Sequence, residues 1–364
     1  MPHFVSLILS IMSLLALPAL AIVQLTPRFS DEAPKLLVGR ELVGCWKHVV
    51  VFSPDGTKLA YLKQPTETTG YTYWVSDSEG TNQRQLYDSR IINDYRISGH
   101  LYSSNFSADN SQLAMIVNHG GATRARQWNA GGACDIQGKF RPATVETFLT
   151  GCAFAKNDLV TLESRGQQFG YQLMIHTAGQ SRVVARGLGD GAVQLRISPD
   201  ASKVAILVVQ ANQKCKIRTI EFDSGNAAET PSYNLDDVTS AESQPAVYWD
   251  AKSAGLFFQV RDECRTNKSV ALMYFDINQR VATRMMENAA VVAVLDNDHI
   301  AVCSYQKEQP QFGILNFTTS AIAPMPEKVG ILAGTGRRLV LSAPRGVFCA
   351  EYELAKPVVN EIQE

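Results

Sequence analysis

The sequence predicts an all-β chain folded as a β-propeller of about seven four-stranded blades, with six or eight also compatible. Three observations predict it. Short alternating strands rich in Val, Tyr, Leu and Trp recur along the chain. A tight turn follows the first strand of each unit, at Ser53, Ser107, Ala155, Ser198, Asp250, Asp296 and Gly334, spaced by 38 to 54 residues and by about 47 on average. That spacing is one four-stranded blade, and propellers carry roughly 4 to 8 of them. Finally, no long helical period interrupts the pattern. A β-sandwich also has many short strands, but it does not repeat similar units at this interval.

Residues 1–21, MPHFVSLILSIMSLLALPALA, read as a signal peptide with cleavage after Ala21. The apolar stretch Phe4 to Leu17 is shorter than the ~20 residues needed to span a bilayer. Pro18 breaks it, and Ala19-Leu20-Ala21 supplies the small-x-small cleavage pattern. The expected location is therefore periplasmic or secreted, and the membrane is a partner only if this segment is kept. Leu42-Val43-Gly44-Cys45 has the form of a lipobox, but the charges and prolines between Thr26 and Glu41 separate it from the apolar run. Residues 22–45 form a lead-in and residues 46–360 the propeller.

The first unit is the clearest. WKHVVVF, SPDG, KLAYLKQ, YTYWVSD, SEGTN and RQLYD give four strands and two turns. Pro54 presets φ, Asp55 can bond its own downstream backbone, and Gly56 accepts positive φ. The pattern returns at Leu101–Ile116 and Val193–Val209, and in degenerate form from Phe148, Pro245, Val291 and Val329. Ser89 to His100 reads as an insertion. The later strands of the second unit fall somewhere between Trp128 and Pro142.

Phe52 to Tyr61, FSPDGTKLAY, with Asp77-Ser78-Glu79-Gly80 as the acidic second turn, resembles the TolB-type β-propeller repeat. Ser198-Pro199-Asp200 and, more weakly, Ser107-Ala108-Asp109-Asn110 resemble it too. The repeat occurs in TolB itself, in oligopeptidase propellers and in other exported proteins. This stretch of chain has no room for the TolB amino-terminal domain and contains no hydrolase domain. What the resemblance implies is a propeller used as an interaction platform.

Composition excludes several other functions. There are 34 Lys plus Arg against 35 Asp plus Glu, a net charge of −1. A balanced surface gives no basis for binding nucleic acid or for a polybasic membrane patch. The nucleophile elbow GxSxG, the P-loop, GxGxxG and HExxH are all absent, and His119-Gly120-Gly121 has no partner motif. Asp77, Glu79 and Asn82, Asp236-Asp237, and Asp296-Asn297-Asp298 do not have the spacing of a calcium loop, so turn chemistry is the reading for them. No metal or cofactor is expected. Seven cysteines in an oxidising compartment suggest a few disulfides among buried thiols. A Cys215–Cys264 bridge would staple two adjacent blades.

Propeller topology puts the second-to-third strand loops and the blade-to-blade connections on one face. The candidate ligand-binding residues there are His100, His119, Arg124, Arg126, Arg261, Asp262 and Arg345. They form a polar mouth suited to an anionic ligand or a peptide. His48, His176 and His299 fall on strand patterns and read as structural. Asn105, Asn267 and Asn316 begin Asn-x-Ser/Thr triplets, which matter only in a eukaryotic secretory pathway. The functional expectation is a non-enzymatic platform for a protein partner or ligand in the envelope or secreted space. The alternative is a propeller enzyme of sugar-lyase or lactonase type. Converging His, Asp or Glu side chains in the central channel would favour the enzyme, and a channel of Ser, Ala and aliphatics the platform.

Overall fold

The computed structural model describes residues 23–27, 50–63, 72–88, 105–120, 127–135, 140–142, 148–164, 170–177, 180–188, 191–210, 214–234, 247–261, 270–304, 310–343 and 346–354. They form 28 strands in seven antiparallel sheets. Strand β1 (Val23–Pro27) stands apart from the first blade. Blade 1 is β2 (Val50–Phe52), β3 (Lys58–Lys63), β4 (Thr72–Asp77) and β5 (Arg84–Asp88). Blade 2 is β6 (Gln112–Gly120), β7 (Gln127–Asp135) and β8 (Phe140–Pro142), with three strands among the described residues. Blade 3 is β9 (Phe148–Ala155), β10 (Asp158–Ser164), β11 (Tyr171–Thr177) and β12 (Gln180–Ala185). Blade 4 is β13 (Gly191–Ile197), β14 (Lys203–Val209), β15 (Lys214–Glu221) and β16 (Ala227–Glu229), with β17 (Tyr233–Asn234) also pairing β15. Blade 5 is β18 (Tyr248–Trp249), β19 (Gly255–Arg261), β20 (Val270–Asp276) and β21 (Val281–Glu287). Blade 6 is β22 (Ala289–Val294), β23 (His299–Ser304), β24 (Gln311–Asn316) and β25 (Ala321–Pro324). Blade 7 is β26 (Gly330–Thr335), β27 (Arg338–Ala343), β28 (Gly346–Leu354) and, outermost, β1.

The lead-in is therefore partly structural, because β1 supplies the fourth strand of the last blade. Val23 lies opposite Leu354 and Pro27 opposite Ala350. Pro27 is tolerated because β1 is an edge strand with one neighbour. The ring closes again at Arg338, whose guanidinium donates to the Gly56 carbonyl and to Ser78 Oγ, linking blade 7 to blade 1.

Blades 3 to 7 are each pressed between two others, so their middle strands are buried on both faces. In β14, Val204, Ile206 and Val208 pack toward blade 3, while Ala205 and Leu207 pack toward blade 5. That is why the strand reads KVAILVV, a continuous apolar run instead of an alternating one. The outer strand β21, VATRMME, has no buried residue.

The recurrent turn is a hydrogen-bonded module. In blade 1, Ser53 Oγ donates to Asp55 Oδ1 at 2.7 Å and accepts from Lys58 N at 3.0 Å, while Thr57 N donates to Asp55 Oδ1 at 2.9 Å. The same three contacts recur at Ser107–Asp109 and Ser198–Asp200, at 2.6 to 3.0 Å. The residue after the Asp takes the left-handed conformation in each: Gly56 (φ 70°), Asn110 (φ 56°) and Ala201 (φ 57°). Glycine suits that backbone best, and Ala201 holds it at a steric cost.

Cys152, Cys215, Cys303 and Cys349 are buried, and no disulfide forms among the described residues. The expected staple has its other end at Cys264, outside them. Burial pushes the Cys349 thiol up to about 12. Such a thiol is a poor nucleophile at neutral pH.

Candidate functional site

The innermost strands of six blades and the turns after them, with Phe106 and Ala108 just before β6 of blade 2, surround one axial cavity of about 670 Å³. Its walls are largely apolar: Phe52 from blade 1, Phe106 from blade 2, Phe154 from blade 3, Trp249 from blade 5, Val292 from blade 6 and Leu332 from blade 7. Blade 4 differs. It contributes Arg196, which is 7% exposed, between Leu195 and Ile197. The rim carries Ser53, Asp55, Lys156, Ser198, Asp200 and Thr335. The size lies within the small-ligand range of roughly 300–1,000 Å³.

Local structure shapes this wall. Register slips place a bulge in β13 at Gln194, in β22 at Val292 and in β26 at Leu332. Gln194 is left-handed (φ 64°) and 5% exposed. Its Oε1 accepts a 3.4 Å hydrogen bond from Arg196 Nη2, and Arg196 Nη1 donates to the Leu195 carbonyl at 2.8 Å. Trp249 Nε1 donates to the Arg196 carbonyl at 2.9 Å and locks blade 5 onto blade 4.

The rim carboxylates are engaged in their own turns. Partial burial works to raise the Asp200 carboxyl. Hydrogen bonds from Ser198, from the Ser202 backbone and side chain, and from Ser253 outweigh it and hold the group at about 2. Asp55 is lowered in the same way, against burial, by Ser53, Thr57 and Asn110. In the matching turn of blade 2, Asp109 is lowered first by Ser107 and then by Ser111.

All three folded carboxyls therefore sit below their ordinary value of 3.8. Their stabilising contribution is complete above that value and is lost as pH falls toward 2. The urea midpoint is expected to hold steady near neutral pH and to drop below about pH 4. Asp200→Asn should lower the neutral plateau and flatten the acid limb. An acid limb unchanged in Asp200→Asn would show that this turn does not carry the effect.

The acidic clusters also serve their turns. Asn82 Nδ2 donates to Asp77 Oδ2 at 2.6 Å, and Asp296 Oδ1 accepts from the backbones of Asp298 and His299, both at 2.8 Å. The His299 ring meets the same carboxylate at 2.9 Å. His176 lies between Thr161 Oγ1 and Ser181 Oγ, both at 2.8 Å, beside the buried Glu163. Burial works to raise Glu163, but hydrogen bonds from His176 and Thr161 leave it lowered. Asp236, Asp237 and His48 lie outside the described residues. Asn105 is buried, with Nδ2 donating to the Ala114 carbonyl at 2.9 Å.

Of the sequence-predicted site, the structure places two residues. His119 lies near the end of β6 and Arg261 ends β19, both at the end of the ring away from the first turns. His100, Arg124, Arg126, Asp262 and Arg345 lie outside the described residues. The axial cavity is built from the inner strands and first turns instead. Sequence reasoning missed Arg196 there, and Gln194, which accepts a hydrogen bond from it. The available signal was a charged residue in VQLRI, an otherwise apolar inner strand.

No protein-family model matches the chain, and no curated protein matches it. Solved structures do. The chain is similar to puromycin hydrolase at 12% identity with a TM-score of 0.55, over 84% of this chain and 53% of that one. It is similar to the tricorn protease at 13% identity and a TM-score of 0.50, over 92% of this chain and 35% of that one. TolB from Acinetobacter baumannii matches at 15% identity and a TM-score of 0.47, over 74% of this chain and 64% of that one. The chain thus spans less than two thirds of each of these proteins. At such identities the likeness to puromycin hydrolase and the tricorn protease shows the fold alone, a β-propeller.

Proposed function

We propose that the chain is an exported, non-catalytic binding platform built on a TolB-type repeat, with the axial cavity as its binding element and a protein of the envelope or extracellular space as its partner. The observation that carries this reading is the apolar wall contributed by the inner strands. The rim acids Asp55 and Asp200 accept hydrogen bonds within their own turns, which suits them to holding the rim rigid. Rigid walls with a polar rim favour binding by shape, since little side-chain freedom is lost on association. Export rests on the leader-like residues 1–21 and the repeat assignment on FSPDGTKLAY.

The test is a cross-linked capture from the envelope fraction using residues 22–364, beside an Ala251→Trp variant that narrows the cavity mouth. One partner recovered in near-stoichiometric amount and lost with Ala251→Trp is the expected result. A partner retained by the variant would remove the cavity from the interface. Turnover of an acidic sugar or a lactone that the variant abolishes would instead establish the enzyme reading.

A further inference from the structure

We infer that Ser181 is an activated nucleophile, a modification site that takes an acyl group from an activated ester, with His176 as its base and Thr161 and Glu163 orienting the imidazole. The site is separate from the axial cavity. It lies on β10, β11 and β12 of blade 3, where the strand register sets Ser181 directly opposite His176. Ser181 is exposed, whereas Thr161 and Glu163 are buried, Glu163 to 3% exposure.

Proton positions follow from the contacts. Burial works to raise the Glu163 carboxyl, but hydrogen bonds from His176 and Thr161 outweigh it. The group is therefore ionised at neutral pH and can only accept. Thr161 Oγ1 donates its single proton to Glu163 Oε1 at 2.7 Å. At its 2.8 Å contact with His176 Nε2 the same hydroxyl must then accept, so Nε2 carries the hydrogen. Glu163 Oε1 also lies 3.4 Å from Nε2. A neutral imidazole has one N–H, which leaves the Nδ1 lone pair facing Ser181 Oγ at 2.8 Å. Nucleophile, base and orienting group stand in the order that activates a hydroxyl. His299 is the contrast: its ring meets Asp296 and Asn316, neither of them a hydroxyl. Strand β12 has β11 as its one neighbour in the sheet, and a free edge presents backbone N–H groups that a developing oxyanion can use. In the step itself, Ser181 Oγ bonds to the acyl carbon as its proton passes to His176 Nδ1. The ester C–O bond then breaks, and the proton leaves with the departing alcohol.

The test treats the protein at neutral pH with p-nitrophenyl acetate, following p-nitrophenol release by absorbance and locating the acetyl group by peptide mass spectrometry. Acetylation of Ser181, absent in Ser181→Ala, is the expected result. His176→Gln should slow it about 100-fold or more, the lower end of what a positioned base contributes. Long-range proton–nitrogen NMR of the unaltered protein should show His176 protonated at Nε2. Glu163→Gln should both slow the acetylation and populate the other tautomer, a change that a purely structural carboxylate would not produce. Acetyl groups confined to lysines or the amino terminus would overturn the inference, as would an unchanged rate in His176→Gln or a hydrogen on Nδ1 in the unaltered protein. If His176→Gln does not fold, as judged by circular dichroism, the NMR result on the unaltered protein decides. None of these outcomes depends on partner capture through the cavity, so this inference and the platform reading fail separately.

Discussion

A chain starting at residue 28 is expected to lose a large share of its stability. That truncation removes β1, whose five residues pair with β28 from Val23↔Leu354 to Pro27↔Ala350. Each intramolecular hydrogen bond is worth roughly 1 kcal/mol net, so the ladder is worth about 3–5 kcal/mol. Domains are stable by only about 5–15 kcal/mol in total. The loss also has a positional consequence. β1 belongs to blade 7, which meets blade 1 through the Arg338 contacts to Gly56 and Ser78, so the strand ties the first described segment to the last blade. Without it, β28 becomes a nine-residue free edge, a template for pairing with other chains. The expected outcome is a urea midpoint far below that of the full chain, with concentration-dependent association visible in sedimentation. A synthetic peptide of residues 22–28 added in trans should recover part of the midpoint. If the truncated chain unfolds at the same urea concentration as the full one, the closure is not carried by this strand.

How much of this was legible in the sequence depends on how local the signal is. The first turns were readable because their chemistry lies within a few residues: Ser53, Asp55 and Lys58 interact with one another, and the same spacing recurs from Ser107 and Ser198. Once those turns were aligned, the ring of blades followed from their interval. Strand β1 was not legible, because its partner β28 is the last strand of the chain and VQLTP has no turn signal of its own. The second blade was hard to place because QWNAGGACD is poor in β-branched residues. The site was sought among polar loops, where function usually concentrates. The cavity instead comes from positions that only the ring brings together. Phe52, Phe106, Phe154 and Trp249 each look like ordinary core in their own strand. Gln194 is recognisable only once the bulge in β13 is seen.

Gly151→Ala is the point substitution expected to cost most for the fewest added atoms. Gly151 sits in β9, the inner strand of blade 3, which packs directly on β13 of blade 4. A Cβ built there would stand 2.7 Å from Leu195 Cβ and 3.5 Å from Leu162 Cβ. The first distance is far inside van der Waals contact, and a rotamer change cannot relieve it because a Cβ moves only with its backbone. Leu195 is 3% exposed and forms part of the core shared by blades 3 and 4. Its neighbour Arg196 is held at the carbonyl by Trp249 Nε1, so β13 cannot retreat without loosening blade 5. Overpacking a tight core costs about 1–3 kcal/mol, and a contact between two backbone-anchored atoms belongs at the upper end. Gly151→Val, with two further carbons and a stiff χ1, should cost more again. Urea unfolding checks this through the midpoint at constant m-value. The design includes a relief variant: Leu195→Gly in the Gly151→Ala background removes the opposing Cβ. If the two losses simply add, the blades are not in contact at this pair. If the double variant is more stable than that sum, β9 and β13 meet at Gly151 and Leu195, and the strand carrying Gln194 and Arg196 is held in place by a glycine on the neighbouring blade.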